Sequence, residues 1–247
     1  MKVLSIGNSF STDAHRYFHK LAVHNGEKLK AVNLYIGGCS LRTHYINMLE
    51  DNRAYSFEFN GERTGIFVSI KEALISDEWD YVTLQQSSPQ SPKYETYTPY
   101  ITELAAYVRK YCPHARIAIH NTWAYEAESE KLLNVVHFDT PRAMLDAVCE
   151  CYEQAAKDIG ANIIIPSGQA MLRASELGIE KVHRDTFHAS LGAGRYLLAL
   201  TWYRALFGKD ISGDDFAGFD VPVSDEERDT VKRAVAQVFG DKPAEAV

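Results

Sequence analysis

Two short segments, far apart in the sequence, contain side chains suited to nucleophilic catalysis. Ser9 follows an apolar run at residues 2–6 that is typical of a β-strand, and a helical pattern begins soon after it. At such a turn the serine hydroxyl lies at the carboxyl edge of a sheet, near helix N–H groups that can stabilise an oxyanion. Asp185 and His188 occur in a D-x-x-H segment, where one turn can supply a general base and the carboxylate that orients it. We therefore predict a catalytic triad of Ser9, His188 and Asp185.

A pair of glycines supplies a candidate for the oxyanion hole, the set of N–H donors that stabilises a tetrahedral intermediate. Gly37 and Gly38 follow the second strand-like run, and the N–H of a glycine is not blocked by a side chain. Taken singly, each segment has a simpler explanation, since Ser9 can cap a helix and a Gly-Gly pair can form an ordinary turn. The combination is more specific, because in a doubly wound sheet all these segments lie at the same edge.

The apolar pattern alternates between strand-length runs and longer helical periods, which is typical of βα repeats around a parallel sheet. The predicted strands are residues 2–6, 31–36, 81–85, 116–120 and 162–166. The predicted helices are residues 13–24, 68–76, 99–111, 141–159 and 189–207. We predict an α/β fold with a doubly wound, parallel five-stranded sheet in a flavodoxin-like three-layer α/β/α sandwich.

One segment departs from this alternation, because residues 55–67 alternate apolar and polar side chains around Asn60-Gly61, a strong hairpin signal. We expect a β-hairpin inserted there. Residues 224–239 have the pattern of an amphipathic helix, and residues 241–247 are expected to form a frayed tail. With 247 residues and 46% hydrophobic content, residues 1–240 are expected to form a single domain.

Composition and charge exclude several classes of function. The net charge is -7 and the 26 Lys and Arg residues are scattered, so no nucleic-acid partner is expected. The first apolar run is too short for a signal peptide or a membrane span, so we expect no membrane partner and a cytoplasmic location, or a periplasmic or secreted one if a leader was removed. Four cysteines lack metal-binding spacing, and His15 and His19 lack a third ligand, so no metal site is expected.

Together these segments resemble the sequence blocks of the SGNH (GDSL-like) hydrolase superfamily. Ser9 matches the serine of the first block, Gly38 the glycine of the second, and Asp185 with His188 the last, over almost the whole chain. The segments Gly-Asn-Ser-Phe-Ser, Gly-Gly-Cys-Ser-Leu and Leu-Gln-Gln are similar to those of an SGNH-type subgroup whose membership implies no particular substrate. The resemblance implies a serine hydrolase that needs no cofactor, with the backbone N–H groups of Ser9 and Gly38 in the oxyanion hole.

The third block departs from the usual G-x-N-D pattern, because Gln85 and Gln86 follow the third predicted strand in its place. A glutamine carries the same amide donor as the usual asparagine on a longer arm. We therefore expect the side chain of Gln86, or in second place Gln85, to donate the third N–H of the oxyanion hole.

Two loops at the carboxyl edge of the predicted sheet, residues 86–97 and 121–138, are candidates for substrate binding. Their aromatic side chains could stack on a sugar ring or simply anchor the loops. The expected substrate is a short acyl ester, such as acetyl, on a carbohydrate, because no segment resembles an apolar lid for lipid chains. The alternatives are a lysophospholipase or thioesterase, or a non-catalytic carbohydrate-binding or interaction protein with the same fold. Substrate contacts are expected from Asn8, Tyr94, Trp123 and Tyr125.

Overall fold

The computed structural model describes residues 1–240 and has a seven-stranded sheet with helices on both faces. The predicted tail, residues 241–247, lies outside the described residues. The order of the strands in the sheet is the fourth, third, second, first, fifth, sixth and seventh in chain order. The strands are β1 (Lys2–Gly7), β2 (Lys30–Tyr35), β3 (Tyr55–Phe59), β4 (Glu62–Val68), β5 (Tyr81–Leu84), β6 (Arg116–His120) and β7 (Ile163–Ile165).

The five predicted strands form the parallel, doubly wound core of the sheet, in the order β2-β1-β5-β6-β7. The fold class is confirmed, but the sheet is mixed and has seven strands rather than five. The two additional strands, β3 and β4, form an antiparallel hairpin that pairs with β2 at one edge. At its turn, a Cβ on Gly61 would lie 2.6 Å from the backbone oxygen of Arg16, so the hairpin packs closely on the first helix.

Local sequence signals explain where the longest helix begins and ends. Thr140 accepts the N–H of Ala143 at 3.1 Å, and Pro141 occupies the first turn, where its missing N–H costs nothing. Gly160 ends the helix in the left-handed conformation, with φ 56°. The helices are α1 (Ser9–His24), α2 (Leu41–Leu49), α3 (Ile70–Leu74), α4 (Tyr100–Tyr111), α5 (Glu130–Asn134), α6 (Pro141–Ile159), α7 (Ser167–Glu176), α8 (Ala193–Phe207) and α9 (Asp225–Val238).

The core consists of two apolar clusters, one on each face of the sheet, because successive strand residues point to opposite faces. Val3 belongs to the cluster formed with α1, α7, α8 and α9, whereas Leu4 and Ile6 belong to the cluster formed with α2, α3, α4 and α6. Among residues 1–240, no helix combines the length and the apolar character needed to cross a bilayer. This arrangement leaves the carboxyl edge of the parallel strands, where the loops converge, for a functional site.

Candidate active site

The turn from β1 into α1 presents Ser9 as the first residue of the helix. Asn8 caps this helix, since its side-chain oxygen accepts the N–H of Phe10 at 3.0 Å and its own N–H donates to the hydroxyl of Ser11 at 3.0 Å. The N–H of Ser9 belongs to the first turn, where backbone donors have no partner within the helix. The cap therefore holds the Ser9 hydroxyl and an available N–H donor side by side.

The predicted triad residues lie within hydrogen-bonding distance of each other. Nε2 of His188 is 2.9 Å from Oγ of Ser9, and Nδ1 of His188 is 2.8 Å from Oδ2 of Asp185. The other carboxylate oxygen of Asp185 accepts the backbone N–H of His188 at 2.8 Å. Burial raises the pKa of Asp185, but the hydrogen bonds from His188 outweigh that effect and leave the pKa below its usual value. Asp185 is thus held as a carboxylate that can keep the proton of His188 on Nδ1.

The turn that carries Asp185 and His188 is fixed to the helix that carries Ser9. Arg184, the residue before Asp185, contacts both carboxylate oxygens of Asp13 in α1 at 3.0 and 2.9 Å. Arg195 in α8 reaches the same carboxylate, at 2.8 Å, and the Asp13 side chain is only 1% exposed. Two guanidinium groups on one buried carboxylate therefore fix the turn of His188 relative to the helix of Ser9.

The loop of Gly37 and Gly38, which forms the second block, lies beside the turn that carries Ser9. Gly38 adopts the left-handed conformation, with φ +62°, and a Cβ there would meet nothing within 4 Å, so its backbone faces open space. The carbonyl of Cys39 accepts a hydrogen bond from the Asn8 side chain at 3.1 Å. Burial raises the pKa of the Cys39 thiol to about 12, so this cysteine is not an activated nucleophile.

The glutamines of the third block do not reach the cavity, and the prediction that Gln86 or Gln85 donates to the oxyanion is wrong for this structure. The Gln86 amide donates to the backbone oxygen and hydroxyl of Thr96, at 3.0 and 3.1 Å. The Gln85 amide donates to Asn8 at 2.8 Å and accepts from His120 at 2.7 Å. Both side chains are almost fully buried, so turning either one toward substrate would leave its partners unpaired.

A cavity of about 370 Å³ opens onto Ser9 and His188. Four Phe or Tyr side chains contribute to its walls. Among the described residues that line it, Lys131 is the one lysine or arginine, with Nζ 3.4 Å from the centre of the Phe187 ring. The hydroxyls of Ser88 and Tyr125 also face this space and lie 2.9 Å apart. The lining residues are Asn8, Ser9, Phe10, Tyr35, Gly37, Gly38, Ser88, Pro89, Tyr125, Lys131, Val135, Phe187 and His188.

Two of the four predicted substrate contacts line the cavity. Tyr125 does so, whereas Asn8 lines it with an amide that is already engaged in the helix cap and the bond to Cys39. Trp123 lies outside the lining, fully buried and stacked on Phe10 with ring centroids 4.0 Å apart. Tyr94 stacks on a neighbouring tyrosine and bonds to Asp158 in α6, away from the cavity, which corrects that prediction.

Several residues of this site carried no motif in the sequence. Ser88 and Phe187 belong to loops and Lys131 to the short helix α5, so only the tertiary fold shows that they share a cavity. Asp13 has one weak signal, since it is an acidic residue one helical turn after Ser9, on the buried face of α1. Among residues 1–240, no group of three or more His, Cys, Asp or Glu side chains is arranged to hold a metal ion.

This combination of sheet order, serine turn and D-x-x-H turn is that of the SGNH (GDSL-like) hydrolase fold. Within that class the chain belongs to the DUF4886 family, described as a domain of unknown function, which it matches over residues 2–237. A DUF4886 protein from Bacteroides uniformis is 32% identical, with a TM-score of 0.88 and coverage of 99% of this chain and 97% of that one.

More distant structures share the fold. A candidate SGNH hydrolase from Slackia heliotrinireducens is 25% identical, with a TM-score of 0.62 and coverage of 83% of this chain and 98% of that one. A mutant of an acetylxylan esterase from Geobacillus stearothermophilus is 16% identical, with a TM-score of 0.53 and coverage of 83% and 93%. No functionally curated protein matches the sequence.

Proposed function

We propose that this protein is a serine esterase that hydrolyses carboxylic esters through an acyl-enzyme on Ser9. The observation that carries the proposal is the unbroken pair of hydrogen bonds from Ser9 through His188 to Asp185, at the wall of a cavity. The kinship with a candidate SGNH hydrolase and the fold shared with an acetylxylan esterase support a hydrolase. No step of this reaction requires a cofactor.

In the first half of the proposed reaction, Ser9 becomes acylated. His188 removes the hydroxyl proton onto Nε2 while Oγ of Ser9 attacks the ester carbonyl, and Asp185 stabilises the resulting imidazolium. The backbone N–H groups of Ser9 and Gly38 donate to the oxyanion of the tetrahedral intermediate. His188 then transfers its proton to the departing alcohol oxygen, and the acyl group stays on Ser9.

In the second half, water takes the place of the alcohol. His188 removes a proton from water as the oxygen attacks the acyl carbonyl, and the same N–H donors stabilise the second oxyanion. When the intermediate collapses, the carboxylic acid leaves and the proton on His188 returns to Oγ of Ser9. Each cycle thus consumes one water and regenerates the free hydroxyl.

For the substrate we propose a short acyl group, such as acetyl, on a carbohydrate. A cavity of about 370 Å³ is near the lower end of the usual range for small-molecule sites, which fits a short acyl chain better than a lipid. Phe10, Tyr35, Tyr125 and Phe187 give it flat aromatic walls suited to a sugar ring. A chain-length series of nitrophenyl esters tests this choice, since a rate maximum at long acyl chains would contradict it.

The experiment that tests the nucleophile is labelling with a fluorophosphonate, read by intact mass. The wild type should gain one adduct, and Ser9→Ala should gain none while keeping its melting temperature. Ser88→Ala is the matched control, because Ser88 also faces the cavity but bonds to Tyr125 instead of a histidine, so this variant should still be labelled. An adduct on Ser9→Ala would contradict the assignment.

The second candidate is a carbohydrate-binding protein that has lost catalysis. It is favoured by the absence of both third-block amides from the cavity, since that block usually supplies an oxyanion donor. If the wild type with its intact triad stays unlabelled, this candidate replaces the first, and a thermal-shift screen of sugars and their acetyl esters is the next measurement.

A further inference from the structure

A chain of buried polar side chains crosses the carboxyl edge of the sheet and ends at the catalytic turn. It runs from Ser167, after β7, through His120 in β6 and Gln85, after β5, to Asn8, after β1. The hydrogen bonds measure 3.1 Å from Ser167 to His120, 2.7 Å from His120 to Gln85 and 2.8 Å from Gln85 to Asn8. None of the four residues is more than 3% exposed. We call these four residues the edge relay.

The hydrogen-bond partners fix the direction of every donor in the edge relay. Oδ1 of Asn8 accepts the N–H of Phe10, so the Gln85 amide must donate to the same oxygen. Gln85 then presents its own oxygen to Nδ1–H of His120, and Nε2 of His120 accepts the hydroxyl of Ser167. Burial lowers the pKa of His120 to about 3, so the ring is neutral at neutral pH, as this pattern requires. A change of one donor into an acceptor would interrupt the chain.

The edge relay ends at the side-chain amide of Asn8. This amide connects the two backbone segments of the proposed oxyanion hole. Asn8 directly precedes Ser9, and its Nδ2 donates to the carbonyl of Cys39, which directly follows Gly38. The same side chain therefore caps the helix that carries one N–H donor and holds the loop that carries the other. Movement of this amide would shift both donors at once.

We propose that Gln85, acting through Asn8, is a positioning residue that sets the distance between the N–H donors of Ser9 and Gly38. This inference rests on the proposed esterase function. In this chain the third block supplies no amide donor to the oxyanion; instead, its glutamine orders the two backbone donors that remain. His120 and Ser167 fix the orientation of the Gln85 amide from the other side.

A purely structural role would not require this pattern. Burying polar side chains costs free energy, and apolar side chains of the same shape can replace a hydrogen-bonded pair at little or no loss of stability. In the edge relay, the donor and acceptor of each hydrogen bond are fixed, and the chain ends at Asn8, which bonds to the backbone of Cys39. Its effect should therefore appear in the catalytic rate as well as in the melting temperature.

The test compares Gln85→Met with Asn121→Leu, using 4-nitrophenyl acetate hydrolysis, fluorophosphonate labelling rate and melting temperature. Asn121 is the matched control, because it is a buried amide next to His120 that bonds to Cys149 instead of the edge relay. Gln85→Met should lower kcat and the labelling rate by about 10- to 100-fold, since small misplacements of catalytic groups have effects of that order, with KM nearly unchanged. Asn121→Leu should keep the wild-type kcat.

A second variant separates positioning from packing through its pH dependence. In Gln85→Glu, the protonated carboxyl can donate to Asn8 and accept from His120, whereas the ionised carboxylate can only accept. Burial favours the protonated form, so the ratio of variant to wild-type activity should rise as the pH falls from 8 to 5.5. Taking the ratio removes every pH effect that the two proteins share. Ser167→Ala, which removes only a hydroxyl at the far end, should lose less than about tenfold in kcat.

Two results would overturn the inference while leaving the esterase intact. One is a Gln85→Met protein with wild-type kcat and a lowered melting temperature, which would show that Gln85 serves only to pack the fold. The other is a Gln85→Glu to wild-type ratio that stays constant with pH, and this result decides the matter if Gln85→Met does not fold. A wild type that neither hydrolyses the ester nor reacts with the fluorophosphonate would overturn both proposals.

Discussion

At the scale of single residues, the most buried charge of the site is the carboxylate of Asp13. Its side chain is 1% exposed, and it contacts the guanidinium groups of both Arg184 and Arg195. When one partner of a buried ion pair is removed, the charge that remains is left without compensation in a medium of low polarity. The free-energy cost of that uncompensated charge makes such a substitution strongly destabilising. Asp13 is therefore a residue on which both stability and active-site geometry depend.

Asp13→Ala should lower the free energy of unfolding by about 3–5 kcal/mol, measured by urea denaturation. Asp225→Ala is the matched control, because Asp225 also pairs with an arginine, Arg228, but its side chain is 89% exposed. Such a surface pair contributes about 0–1 kcal/mol. Equal losses for the two variants would contradict the role given to Asp13.

The proximity of Ser9, His188 and Asp185 could be predicted from the sequence, because each residue follows a strand or precedes a helix that is recognisable from its pattern. The topology then brings Ser9 and His188 together, although 179 positions separate them. The hydrogen-bond partners of Gln85 and Gln86 could not be predicted from the sequence. A buried amide can bond to any donor or acceptor nearby, and only the tertiary fold determines which groups are near it. Gln86 finds Thr96, and no spacing in the sequence predicts that pairing.

At the scale of elements, the hairpin of β3 and β4 depends on how closely its turn approaches α1. Gly61 has φ +81°, and a Cβ there would lie 2.6 and 2.8 Å from the backbone oxygens of Arg16 and His15. Gly65, in β4, also has a positive φ, of +77°, but a Cβ there would meet nothing within 4 Å. Substitution of Gly65 therefore tests the cost of the backbone conformation alone, whereas substitution of Gly61 adds the cost of the close contact with α1.

Gly61→Ala should destabilise the protein more than Gly65→Ala, by about 1–3 kcal/mol, because only the first also forces α1 and the hairpin apart. Thermal unfolding of the two variants measures the difference. If both variants lose the same stability, the contact with α1 contributes nothing. The cost of a positive φ for alanine then accounts for the destabilisation at both positions.

The short helix α5 brings Lys131 to the cavity, next to Phe187. Lys131→Glu should lower kcat/KM for an anionic ester, 4-nitrophenyl hemisuccinate, by about tenfold relative to the neutral ester 4-nitrophenyl acetate. The reason is that reversing one partly exposed charge changes the interaction with an anionic substrate by about 1–2 kcal/mol. Salt at 0.5 M should reduce the difference. Lys157→Glu, in α6 outside the cavity, is the control, and an equal change in that variant would argue against a role for Lys131.

The element boundaries show which signals a sequence carries clearly. α6 has a cap, a proline in its first turn and a terminal glycine, and its predicted bounds of 141–159 agree with the structure. α2, α5 and α7 were not predicted, because short helices have too few turns for an apolar period to be distinguished from a loop. They form only where the sheet and the longer helices give them a surface to pack against.

At the scale of the whole molecule, buried neutral histidines make stability depend on pH. Burial lowers the pKa of His15, His44 and His120 to about 3 and that of His183 to about 4. Between these values and the ordinary pKa of 6.5, the unfolded chain binds protons that the folded chain does not. The free energy of unfolding must therefore fall as the pH is lowered through this range.

Urea denaturation at pH 7.5, 6.0 and 5.0 should show this fall, beginning below about pH 6.5. Each buried histidine contributes up to about 1.4 kcal/mol per pH unit within its range. The variant His44→Asn should have a shallower dependence than the wild type. A free energy of unfolding that stays constant between pH 7.5 and 5.0 would contradict this account, because it would mean that the folded and unfolded chains bind the same number of protons in this range.

The attachment of Asp13 to Arg184 and Arg195 also has a consequence for biosynthesis. Asp13 leaves the ribosome early, but its partners follow 171 and 182 positions later in the chain. At about 5–20 residues per second, the nascent helix α1 waits roughly 10–30 s before the arginines emerge. During that interval its apolar face and its acidic side chain have no native partner, so a nascent chain stalled before residue 184 should be the form of this protein most exposed to chaperones.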